Sequence, residues 1–329
     1  MSFFSYIMRR VLLIIPMLIG ISIISFVIIQ LPPGDFLSMY IMQLKSQGYE
    51  VTEDEVARLK ERYGLDEPMY AQYFKWIKNI ILYGDLGRSF SYDKPVRELI
   101  EERILLSMFI SLCTLLFTWV VGLFIGVYSA IHQYSISDYV LTVFGFIGLA
   151  TPNFLLALVF IFIGIKYFNV NIGGLVSSQY VTAPWNLAKV LNMFQHIWVA
   201  IIVIGTAGTA SIIRVMRGTL LDELRKPYVT TARCKGLSER KLLWKYPVRV
   251  AVNPFMSTIG WLLPGIVSGE ALTAIVLNIP TTGPLLLEAL MTQDMYLAGS
   301  FILILSTLTV VGTLISDLLL AYIDPRIRY

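Results

Sequence analysis

Apolar positions gather into six stretches of bilayer-spanning length: 11–30, 104–131, 139–165, 197–217, 255–277 and 297–322. Polar positions collect in two long segments between them, 31–103 and 218–250. The pattern predicts an all-α polytopic membrane protein with six transmembrane helices and an external helical insertion between spans one and two. The chain then divides into an N-terminus with span one (1–30), the insertion (31–103) and a five-span core (104–329) carrying the loop 218–250.

The insertion opens with LPPGD, whose prolines and glycine end the first helix. Thr52 and Glu55 form a capping box before Val56, Leu59 and Tyr63, which recur at helical spacing. A second helix is expected over Tyr70 to Leu82, with Tyr70, Tyr73, Phe74, Ile77 and Ile81 as its packing stripe. GDLGRSF after it reads as a tight turn. Such a segment either braces the spans or offers a surface to a delivered substrate or its carrier.

Within the spans, Pro16, Pro152, Pro254 and Pro264 each remove a backbone donor, which predicts several kinked helices. Gly122 with Gly126, and Gly205 with Thr209, are small pairs that allow close helix contact, most simply within one subunit. Glu270 and Asp317 are the clear charges at membrane depth. Glu270 reads as a cavity or gate carboxylate, or else as a packing group satisfied by a neighbour such as Ser268. Asp317 reads as structural, near enough to Asp324 and Arg326 to reach the membrane interface.

Composition narrows the class: 56% hydrophobic residues, 15% charged and a mean hydropathy of +0.70 exclude a soluble domain. Arg9 and Arg10 precede an apolar run too long for a signal-peptide core, so a retained first span is expected. From Arg214 to Arg249 ten basic residues face three acidic ones, a net of +7; residues 31–103 carry ten basic and thirteen acidic, a net of −3. The positive-inside rule then puts both termini and the basic loop in the cytoplasm of a multi-pass plasma (inner) membrane protein. Cys113 and Cys234 imply neither a disulfide nor a zinc site. The chain has no GxxxxGK[ST] loop and no HExxH, and its two histidines, His132 and His196, read as structural. No catalytic residue, metal, cofactor or nucleic-acid partner is expected. Active transport would draw its energy from another chain or from an ion gradient.

The basic loop carries more than charge. Pro227 can start a helix that continues through Tyr228 to Lys235 until Gly236 stops it. Ser238 can cap a return helix with Glu239 in its first turn, where a carboxylate suits the dipole. Ala232 and Gly236 leave room for another surface, and Arg233 and Lys235 flank it.

TTARCKGLS, followed by a proline-containing helix, resembles the EAA loop of ABC importer permeases. RRVLLIIPMLIGISIISFVIIQLPPGD, QYFKWIKNIILYGDLGRSFS, ATPNFLLALV and the terminal DPRIRY extend the resemblance to the oligopeptide/dipeptide permease branch. Ala232 and Gly236 match the loop's core, whereas Thr230 and Thr231 replace the residues before the alanine and the initial Glu is absent. The resemblance implies a type I permease fold, a second homologous permease subunit (a heterodimer), two ATP-binding subunits holding ATP and Mg, and a solute-binding protein. It assigns Pro227, Tyr228, Thr230, Thr231, Ala232, Arg233, Lys235, Gly236 and Leu237 to ATPase coupling. Pro152, Asn153, Glu270, Thr273 and Ala274 fall on the pathway or gate. The branch often has a Glu where Ala274 stands, and Glu270 lies one turn earlier. The implied cargo is peptides or similar extended solutes, oligosaccharides included. An ion-coupled secondary transporter is the alternative, which would show inverted repeats.

Overall fold

The structure, a computed structural model, describes residues 3–30, 41, 67–181, 183–184, 186–256 and 270–323. The predicted capping box at Thr52, Pro264, Ser268 and most of span five lie outside them. The described residues form α1 (Phe3–Gln30), α2 (Met69–Tyr83), α3 (Val96–Ile131), α4 (Ile136–Ala150), α5 (Asn153–Phe168) and α6 (Leu187–Leu224). Then follow α7 (Pro227–Cys234), α8 (Glu239–Lys245), α9 (Pro247–Ala251), α10 (Asn253–Met256), α11 (Ala271–Val276), α12 (Thr282–Met291) and α13 (Met295–Ile323). Among these residues the β structure is one isolated bridge, Arg88 to Pro95. Among the described residues three helices are long and apolar enough to cross a bilayer, Val96–Ile131, Leu187–Leu224 and Met295–Ile315, and a fourth span results if the bent pair α4 and α5 counts as one. The helices pack into two compact units, residues 1–106 with 281–329, and residues 107–280.

In the first unit α1 continues without a break past Pro16 and lies along α13. Phe26 stacks on Trp76 at 5.6 Å and meets Tyr73 edge-on at 5.4 Å, in a core that includes Val96, Leu285, Leu297 and Phe301. α2 matches its predicted bounds within a residue at each end, but its packing face is shifted. Gln72 and Trp76 are buried, Tyr73, Ile77 and Ile80 half-buried, and Tyr70, Phe74 and Ile81 exposed. The sequence pattern could not foresee a buried glutamine. Gln72 is satisfied by donating to the Glu67 carbonyl at 2.7 Å and accepting from Gln30 at 3.2 Å.

Gly84 closes α2 at φ +64, and Gly87 sits at φ +93 with the Tyr296 ring 3.0 Å from where a Cβ would stand. Both conformation and space demand glycine at position 87. The loop they begin is fixed by Asp294, which is fully buried. Its carboxylate accepts from the Ser89 hydroxyl (2.5 Å), Ser91 N–H (3.1 Å) and Leu297 N–H (3.1 Å). The last of these is an N-cap on α13. Burial pushes the Asp294 carboxyl above the usual carboxylate range, against those hydrogen bonds. Tyr92 donates to Glu288 at 2.5 Å, and burial with that acceptor pushes its phenol to about 12.

In the second unit α3 and α6 meet through glycines. A Cβ on Gly122 would lie 2.8 Å from Ile212, one on Gly126 2.7 Å from Met216, and one on Gly205 2.8 Å from Phe117. Both small pairs thus serve packing within the subunit. α4 lies along α6, with Gly145 and Gly148 facing Ala210 and Thr206. The third predicted span is not one helix: α4 and α5 meet at 105°. Thr151 precedes a proline, which disfavours the helical region, and it is extended at ψ 121.

Candidate functional site: the basic loop and the broken helices

α6 ends at Leu224 with Arg225 as its C-cap; Lys226 then turns extended, and Pro227, which lacks an N–H, occupies the first position of α7. The helix closes as a Schellman motif. Leu237 N–H reaches the Ala232 carbonyl (3.4 Å), Gly236 N–H reaches that of Arg233 (2.9 Å), and Gly236 sits at φ +76. The accompanying apolar contact is present, because Leu237 packs on a small cluster of Val229, Ala232 and Leu242. That cluster folds α8 back onto α7.

Ser238 takes the N-cap position of α8, but its side chain makes no capping hydrogen bond. Glu239 instead receives both arms of the Arg233 guanidinium, Nε at 2.5 Å and a terminal nitrogen at 3.2 Å. This bond holds Glu239 below its ordinary pKa and raises Arg233 above its own. Tyr228 donates to Glu223 at 2.6 Å, and partial desolvation of the hydroxyl together with that bond raises its phenol well above the ordinary value.

Of the nine coupling residues, Ala232 is buried and Leu237 half-buried; Pro227, Tyr228, Thr230, Thr231, Arg233, Lys235 and Gly236 are exposed. Two expectations change. The Ala232 methyl faces α8, so the open approach lies at Gly236, where an added Cβ would meet nothing within 4 Å. Arg233 is engaged by Glu239, while Lys235 carries no ion pair among the described residues.

The pathway residues fall on the other breaks. Pro152 precedes α5, whose first residue, Asn153, donates from Nδ2 to Glu270 Oε2 at 2.6 Å. Glu270 is the extended N-cap of α11, φ −97 and ψ 96, rather than a mid-helix residue. Thr273 and Ala274 are buried on α11, which packs on α5 and α6. The Thr273 hydroxyl has no partner among the described residues. A second Schellman closure follows, with Asn278 at φ 53 and Ile279 N–H on the Ala274 carbonyl at 2.8 Å.

Sequence reasoning missed one pair. Asp138, 2% exposed, receives a bidentate fork from Arg217, Nε at 2.9 Å and a terminal nitrogen at 2.8 Å. The spacing Ser135 to Asp138 could have marked the start of α4, since Ser135 Oγ accepts from Asp138 N–H at 3.2 Å. Nothing local pointed to Arg217. The Asp317 side chain lies outside the described residues. His132 and His196 each turn Nδ1 to a carbonyl one turn back, at 3.1 and 2.9 Å, a structural use. No cluster of potential metal ligands occurs among the described residues.

Two family profiles match the sequence. "Binding-protein-dependent transport system inner membrane component" covers residues 122–329, and the corresponding N-terminal family covers residues 3–113. Curated relatives match end to end. The oligopeptide transport system permease protein AppB of Bacillus subtilis is 33% identical over 99% of both chains. OppB of Haemophilus influenzae is 31% identical over 98% of this chain and 99% of its own. The dipeptide transport system permease protein DppB of Escherichia coli is 28% identical over 98% of both.

Proposed function

From the premise that the chain belongs to the family of binding-protein-dependent transport system inner-membrane components, we propose how this permease subunit of an ABC peptide importer works. Six spans put the basic loop and both termini in the cytoplasm. A second permease chain completes the pathway, two ATPase subunits dock from the cytoplasm, and a solute-binding protein delivers peptide from outside. The full-length relatives named as peptide permeases leave the ion-coupled alternative without support.

The observation that carries the coupling role is the Schellman-closed α7 at the end of α6, with its outer face exposed. Tyr228, Thr230, Thr231, Lys235 and Gly236 form the face offered to an ATPase groove. Ala232 and Leu237 hold that face in shape from beneath. The ATPases can shift the permease between inward-open and outward-open states only if they grip α7 differently in their ATP-bound and free forms. Asn153 and Glu270, joined across two helix breaks, form part of the gate, beside the buried Thr273 and Ala274. ATP chemistry takes place in the partner subunits.

Gly236→Val tests the coupling role. At φ +76 a β-branched residue is strained by about 1–2 kcal/mol even where space is free. The variant should insert normally yet fail to couple ATP hydrolysis to peptide uptake in proteoliposomes. Unchanged uptake would remove the coupling role from this loop.

A further inference from the structure

The pairing of Asp138 with Arg217 belongs to neither the ATPase face nor the gate. Arg217 stands on α6 two turns before Leu224, where the chain enters the coupling loop. Asp138 lies in the first turn of α4, where the dipole favours a carboxylate. Its position is fixed from its own side too. Oδ2 accepts from Tyr134 N–H at 3.0 Å, and its own N–H is capped by Ser135.

Stability alone is a poor reason for such a pair, because desolvation of the buried carboxylate and the half-buried guanidinium offsets their attraction, and apolar replacements are often as stable. A planar, two-point fork instead fixes geometry. Elsewhere along the α4–α6 contact Gly145 and Gly148 lie against Ala210 and Thr206 through apolar atoms, which make no directional bond. Such a surface permits one helix to tilt on the other, and the ion pair pins one end of it. α4 is about 22 Å long by its rise per residue. A tilt of about 10° at the pinned end would carry the far end about 4 Å, enough to part the 2.6 Å bond from Asn153 to Glu270 just beyond it.

We propose that Asp138 and Arg217 are positioning residues for transport, forming the joint through which movement of the coupling loop reaches α4 and, beyond its bend, the contact between Asn153 and Glu270. The proposal rests on the importer reading above.

The test uses the full complex with both permeases, ATPases and binding protein in proteoliposomes, measuring peptide imported per ATP hydrolysed. The informative variant replaces the pair by apolar residues, Asp138→Leu with Arg217→Met, so that no buried charge is orphaned. It should assemble and hydrolyse ATP, while import per ATP falls about tenfold. Asp138→Asn, which keeps the shape but weakens the fork, should fall between it and the wild type. An unchanged ratio in the apolar variant overturns the joint, and so does failure of that variant to assemble, which would assign the pair to folding. If the wild-type complex itself shows no ATP-dependent import, the importer reading fails instead.

Discussion

The loops 84–95 and 226–246 both turn on glycines in the left-handed region, but they are held by different physics. The first is locked by a buried carboxylate: Asp294 takes donors from Ser89, Ser91 and Leu297, and Phe90 packs edge-on against Tyr296 at 5.1 Å. The second rests on three buried side chains, Val229, Ala232 and Leu242, with most of its polar groups at the surface. Hydrogen bonds already made inside the fold are unavailable to a partner. The first loop is therefore a fixed anchor of its unit, and the second leaves an exposed polar face, as the proposed ATPase contact requires.

Removing the carboxylate should separate the two most widely. Asp294→Ala leaves buried donors unsatisfied and should cost about 3 kcal/mol, read as a lowered melting temperature of the purified protein. A change below about 1 kcal/mol would mean that the packing of Phe90, not the hydrogen bonds, holds the loop. Leu242→Ala should cost about 2–3 kcal/mol, but locally. Limited proteolysis should cut within 226–246 while global melting hardly moves, and a fall in global melting would make this loop an anchor as well.

Acidity gives a finer distinction. The Asp294 carboxyl is raised above its unfolded value of 3.8, chiefly by burial. The folded state therefore binds this proton more tightly than the unfolded one. The stability it contributes is complete below 3.8 and is lost as pH rises through the raised folded value. Melting of the wild type should fall across that window relative to Asp294→Asn; parallel curves would contradict the shift. The smallest effect is expected at the exposed charges. Lys235→Glu should weaken ATPase association more at low than at high salt, and Arg233→Glu should do so less because its charge is already matched by Glu239. Equal effects at both positions would mean that the ion pair opens on docking.

Local sequence determined much of this protein. The apolar runs that became α3, α6 and α13, the helix start at Pro227 and the stop at Gly236 depend on side-chain period, a missing N–H and a missing Cβ, which act within a few residues. The bend at Thr151 and Pro152 belongs to the same class, although its size of 105° does not. Only the tertiary structure decided which polar groups meet: Asp138 with Arg217 across 79 residues, Asn153 with Glu270 across 117, and Ser89 with Asp294 across 205. It also turned Ala232 inward, buried Gln72 and left Tyr70, Phe74 and Ile81 exposed. Helix period tells which residues share a face, but which face is covered, and which buried charge finds a partner, depends on the packing of helices far apart in the chain.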